Sequence, residues 1–257
     1  MDVDRLLAEL RRQGRELVDA AVAAGLDAVV PTCPGWQVRD LLGHAGYVHR
    51  WATAHVAGPL TEPLDETAAD RAVGPIPDGS ALYDWYADGH AALVETLAAA
   101  PDDTACWSFL PAPTPLAFWV RRQAHECAVH RADADRAAQR RTSYDPEFAA
   151  DGIDELLTGF LARRRGGLVS DPPLSLAVVA TGGPLTGTPV AWHVTIGADA
   201  RTVRRESRPA DCTLRGPASE LYKLLWNRLT PAEADIDIDG DHSVLDLFAA
   251  KAQVRWS

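Results

Sequence analysis

Apolar side chains recur from Val3 onward at Leu6, Leu7, Leu10, Leu17, Val18 and Ala21, close to the 3.6-residue period of a helix with one buried face. The run stops at Val29-Val30-Pro31, and PTCPGW (31–36) is a turn rich in helix breakers. A second helix is predicted from 37 to 57, closed by Gly58-Pro59. A third starts at Asp78 or Ser80, either of which suits an N-cap, and ends at Pro101. A fourth runs from Pro115, a residue at home in a first turn, to Arg140. A fifth opens at Asp145-Pro146 and ends at Gly166-Gly167. The stretches 59–77 and 101–115 read as Pro-containing connections. Four long helices joined in this way form a bundle more readily than any other arrangement.

After residue 168 the pattern shortens. LSLAVVA (174–180), VAWHVTI (190–196), TVRRES (202–207) and DCTLRG (211–216) read as strands separated by turns, with DIDID (235–239) as a short edge strand. PASELYKLLWNRL (217–229) and HSVLDLFAA (242–250) read as helices. The expected architecture is a two-domain α+β chain: a helical bundle over 1–165 and a small α+β domain over 166–257.

Composition narrows the function classes. With 47% hydrophobic residues the 257-residue chain can bury a core. No apolar run approaches the ~20 residues that cross a bilayer, and the amphipathic start MDVDRLLAELRRQ lacks the features of a secretory signal. A cytoplasmic protein without membrane partners is expected. A net charge of −11 argues against nucleic acid. The clusters Arg163-Arg164-Arg165 and Arg201, Arg204, Arg205, Arg208 are local exceptions, the first suited to a helix C-terminus. Cys33, Cys106, Cys127 and Cys212 include no CxxC pair and read as reduced thiols.

The candidate chemistry lies in WVRRQAHECAVHRADAD (119–135). Glu126 and His130 are four residues apart, about 40° on the helical wheel, so both side chains can reach one ion. His125 and His130 stand about 140° apart, which rejects the zinc-protease reading that HExxxH superficially suggests. A catalytic metal wants three protein ligands and an open position. The second helix supplies His44, on an inward stripe with Leu41, Val48, Trp51 and His55 and flanked by Gly43 and Gly46, whereas His49 points about 140° away. A lone His44 is more often a core histidine, and Glu126 with His130 more often a structural pair. Together in one bundle they form a candidate metal set of two histidines and a carboxylate, which accepts Zn, Fe, Mn or Ni. Pro34, Gly35, Trp36 and Asp40 are read first as structural, with Asp40 bonding a backbone group or a ligand histidine. Arg228, in LLWNRLT (224–230), is a candidate catalytic residue able to grip a carboxylate, or a solvated helix-end arginine. His193 and His242 read as structural or exposed.

PTCPGWQVRDLLGHAGYVHRW (31–51) and RRQAHECAVHRADAD (121–135) resemble the two motifs of the mycothiol-dependent maleylpyruvate isomerase family. The likeness extends over nearly the whole chain, specific in these segments and loose after residue 170. LLWNRLT is similar to a further recurring segment of the family. The resemblance implies a DinB-like metal-binding four-helix bundle followed by a sterol-carrier-like α+β domain. It places His44, Glu126 and His130 at metal-ligand positions, and it implies mycothiol as thiol cosubstrate. The metal, most simply zinc, would stabilise the thiolate for attack on a small electrophilic substrate.

The expected function is therefore thiol addition or transfer, or cis–trans isomerisation, by a monomer or homodimer whose partners are a small substrate and a low-molecular-weight thiol. Two rivals stand beside it: a zinc hydrolase of a small amide or ester, and a non-catalytic, metal-stabilised binding module.

Overall fold

The computed structural model describes residues 1–161, 163, 167–182 and 190–254. The chain divides into two compact units, 1–142 and 143–257. No helix among the described residues is long and apolar enough to cross a membrane.

Four long helices build the first unit: α1 (Val3–Ala24), α2 (Val38–Ala57), α4 (Ala81–Ala99) and α5 (Pro115–Ala137), with the short α3 (Glu66–Val73) between the second and third of them. Local chemistry fixes their starts. Asp2 accepts from the Arg5 N–H at 2.8 Å. Thr114 accepts from the Ala117 N–H at 3.1 Å, with Pro115 in the first turn of α5. Asp40 reaches back to accept from the Gln37 N–H at the start of α2. Leu10, Leu17, Leu41, Leu42, Tyr86 and Leu93 are fully buried and lie in the core of the bundle.

Contacts along the helices give their directions. The Leu10 carbonyl meets His90 and the Gly14 carbonyl meets Tyr86, so α1 and α4 run antiparallel. Gly46 lies against Trp85 and Gly89 against Arg50, so α2 and α4 run parallel. His44 lies beside His130 and His55 beside Trp119, so α2 and α5 run antiparallel. The topology is up-down-down-up. Two parallel neighbours need a crossover, and residues 58–80 provide it. That stretch was expected to be plain connection. The α3 helix within it buries only Ala69 and Val73, too small an apolar face to stand out in sequence. A Cβ on Gly46 would lie 2.2 Å from the Trp85 ring, so glycine here lets α2 and α4 close on each other.

The second unit holds α6 (Pro146–Asp154), continued by a π-helical turn (Glu155–Phe160), then β1 (Leu174–Thr181), β2 (Val190–Ile196), β3 (Arg201–Arg204), β4 (Cys212–Pro217), α7 (Ala218–Leu225), β5 (Asp237–Gly240) and α8 (His242–Lys251). The sheet order is β3-β2-β1-β4-β5. Among the described strands only the central pair β1–β4 is parallel, and α7 and α8 pack against these two strands. β1 is buried from Leu176 to Ala180, as a central strand should be. A two-domain α+β architecture is thus established.

The division falls at 142/143 rather than at 165/166, because α6 packs on α7 and belongs to the second unit. The true stop after α5 carries no breaker: Gln139 takes a left-handed conformation (φ 57°) with neither glycine nor proline to mark it. Arg164, Arg165 and Gly166, which bear on the expected basic cluster and helix end, lie outside the described residues. The other arginine cluster is largely engaged. Arg201 donates to the carbonyls of Leu161, Leu168 and Arg163, Arg205 forks onto Asp154, and Arg208 pairs with Glu206.

Candidate metal centre

Every residue of α5 from Arg122 to His130 is buried. A helix buried all round is ordinarily apolar; this one carries Arg122, Gln123, His125, Glu126 and His130. Buried groups of this kind must be paired with one another or with a ligand.

His44, from the facing side of α2, completes the group. Its Nε2 lies 3.3 Å from Glu126 Oε1, and His130 Nε2 lies 3.1 Å from the same oxygen. The two imidazoles meet edge to face with centroids 5.0 Å apart. One ligand atom from each residue lies within 4.8 Å of the other two. Tetrahedral zinc with bonds of about 2.1 Å holds neighbouring ligand atoms about 3.4 Å apart. The donor set and its spacing therefore fit a divalent ion held by three protein ligands.

Electrostatics tie the group together. Burial alone would raise the Glu126 carboxyl, but hydrogen bonds from His130 and His44 and the charge of Arg122 hold it well below the usual range. Arg122 Nη2 sits 3.4 Å from Glu126 Oε2. Burial also works against the His130 imidazolium, yet hydrogen bonds to Asp133 and Glu126 outweigh it and raise His130 to about 9. His130 Nδ1 lies 2.9 Å from Asp133 Oδ2, and Thr32 Oγ1 donates to Asp133 Oδ1 at 2.5 Å.

The remaining candidates fall into place by contact. Trp36 packs on the His44 ring at 5.2 Å between centroids. Asp40 accepts from the Gln37 N–H at 2.8 Å, the backbone of the two roles considered for it. Gly43, Trp36, Arg39, Asp40, Asp78 and His44 border a cleft of about 600 Å³. His49 turns instead to Cys127, with Nε2 3.2 Å from Sγ, and burial pushes that thiol up. Trp51 and His55 join Trp107, Phe109 and Trp119 in an aromatic cluster further along α2. Arg228 lies in the second unit just past α7; it is half-buried and its Nη1 donates to the Trp226 carbonyl at 2.7 Å. His193 Nε2 is 3.3 Å from the Pro209 carbonyl, and His242 is exposed.

Sequence reasoning missed Asp133 and Thr32. The signal for Asp133 was its place three residues after His130, on the same helix face. Thr32 offered none beyond its place in the turn. Gln123, one turn before Glu126, was missed as well; its buried Oε1 has no hydrogen-bond partner among the described residues.

Comparison with known proteins agrees with the two-part organisation. The mycothiol maleylpyruvate isomerase N-terminal domain model matches residues 7–135, and the MDMPI C-terminal domain model matches residues 147–247. Among solved structures, the crystal structure of the mycothiol-dependent maleylpyruvate isomerase is similar with a TM-score of 0.59 at 12% identity, over 92% of this chain and 93% of that one. A histidine-to-alanine mutant of that isomerase gives 0.61 at the same identity and coverage. At this identity the likeness is one of fold. Among curated proteins none matches by sequence. With both domain models matched in order, this chain belongs to the mycothiol maleylpyruvate isomerase family.

Proposed function

We propose that the chain is a metal-dependent enzyme that uses mycothiol to act on a small electrophilic substrate, by thiol addition, transfer or cis–trans isomerisation. The observation that carries this reading is the convergence of His44, Glu126 and His130 on one point, beside a cleft that His44 also borders. A divalent ion held there, zinc being the simplest choice, supplies the Lewis acidity that makes a thiol nucleophilic near neutral pH. His44 and His130 would hold it through Nε2 and Glu126 through Oε1. Arg122 balances the charge of Glu126 from its far oxygen. The cleft lined by Trp36, Arg39, Asp40 and Asp78 offers a polar wall and an indole face to the body of the thiol. Arg228, in the second unit, is only a candidate for pairing with a carboxylate. In the isomerisation, addition of the thiol to a cis-enoic acid, rotation about the new single bond and elimination return the thiol and give the trans isomer.

The test is elemental analysis of protein purified without added metal, followed by thiol-adduct and isomerisation assays over a panel of electrophiles with and without mycothiol. Expected are one equivalent of metal and thiol-dependent turnover, both lost in His44→Ala. Metal-dependent turnover indifferent to thiol would establish a hydrolase. Stoichiometric metal with no turnover, but stabilisation by an apolar ligand, would establish a binding module.

A further inference from the structure

The metal reading leaves a question about aim. An imidazole can present either ring nitrogen, and a ring turned the wrong way offers the ion a C–H edge. We propose that Asp133, itself held by Thr32, is a positioning residue that keeps the proton of His130 on Nδ1 and turns Nε2 toward Glu126 and His44. This rests on the proposed metal centre and deepens it.

The observations come from α5 and from the turn at 31–36. Asp133 is 0% exposed, so its carboxylate needs partners. Its two oxygens take different ones: Oδ2 faces His130 Nδ1 at 2.9 Å, and Oδ1 accepts from Thr32 Oγ1 at 2.5 Å. Two fixed contacts on opposite oxygens set the carboxylate plane. A carboxylate accepts only, so the ring nitrogen facing it must carry hydrogen. Nε2 lies on the other side, 3.1 Å from Glu126 Oε1. By the same rule it carries hydrogen in the metal-free protein, and that is the proton a metal would displace while the one facing Asp133 stays. The contact also gives Thr32 a role that the turn does not require, since Gly35 with φ 86° already makes the reversal. A carboxylate behind a ligating histidine typically contributes about 10- to 100-fold in metal affinity.

The experiment uses the full-length protein, stripped and reloaded with zinc, and compares wild type with Asp133→Asn, Thr32→Val and Thr32→Ser. Zinc affinity is read by chelator competition, the His130 tautomer by nitrogen-15 NMR of the zinc-loaded protein, and thermal stability alongside. Expected is a zinc Kd about 10- to 100-fold weaker in Asp133→Asn, a smaller loss in Thr32→Val and recovery in Thr32→Ser. The hydrogen-bonded Nδ1–H resonance of His130 should shift in both weakened variants. Should Asp133→Asn not fold, Thr32→Val carries the test. A merely structural tie between the turn and α5 would lower the melting temperature while leaving Kd and the resonance unchanged, and that result overturns the inference. Wild-type protein that binds no zinc overturns the metal centre first and this inference with it, so the two failures are distinct.

Discussion

Helices α2 and α5 carry two histidine clusters, whose histidines on α2 stand about 1.4 turns apart and whose residues on α5 lie on different faces of the same turn. The first is His44, Glu126 and His130. The second is His49 and Cys127, joined by Tyr86 and His90 from α4. Residue types and helices are much the same, but the states are opposite. Around Glu126 the charges are matched, the carboxylate below its usual range and His130 above it. Around Cys127 burial dominates: it pushes the thiol and the Tyr86 phenol up and the His49 and His90 imidazoles down, so all four stay neutral. The lesson is that a histidine on a bundle helix becomes ligand material where a central carboxylate and its partners offset desolvation. Where they are missing it becomes packing.

The contrast can be broken by experiment, beginning with the largest effect. Glu126→Gln should weaken zinc binding by more than about 100-fold, beyond the range of an outer partner; near-wild-type affinity in chelator competition would erase the difference between the clusters. Next comes pH. Zinc needs His130 neutral, so below about 9 each binding event displaces its proton. Apparent affinity should fall by up to about tenfold per pH unit on acidification, read by competition titrations, with proton release measured in buffers of different ionisation heat. For metal-free protein the sign reverses. His130 is raised above its unfolded value, so its contribution to stability is complete below about 6.5 and is lost as pH rises through about 9. Melting curves with and without chelator should therefore diverge toward alkaline pH.

The neutral cluster should answer differently. His49→Ala empties a fully buried site and should cost on the order of 2–4 kcal/mol in urea unfolding. Cys127→Ala is the mildest change, costing on the order of 1 kcal/mol and leaving zinc affinity within about twofold. Loss of zinc in that variant would make the thiol a ligand and merge the two clusters.

Much of this was legible in sequence because helical geometry is periodic. Glu126 and His130 share a face by spacing alone, and the inward stripe of α2 pointed His44 at the bundle. His49, expected to face elsewhere, is instead fully buried against Cys127, because neighbours on two sides of α2 enclose both faces. The strands at 174–180 and 190–196 announced themselves by continuous apolar character. What escaped lacked either period or punctuation. Gln139 ends α5 in a conformation that sequence does not advertise. The α3 helix buries two small side chains only. The Thr32–Asp133 contact joins residues 101 positions apart, and no local pattern encodes it. Asp40 had two plausible bonds, and the nearer backbone one prevailed, as short-range capping does when both are open.

The up-down-down-up path also sets an order of events during synthesis. His44 and Glu126 are separated by 82 positions, with the crossover and α4 between them. A chain leaving the ribosome thus exposes His44 long before its carboxylate partner exists. Any cation caught early would be held by too few ligands to stay. Closure must wait for the last long helix of the bundle to dock, so capture of a cation by the proposed centre would come late in the maturation of that half of the molecule and would not seed it.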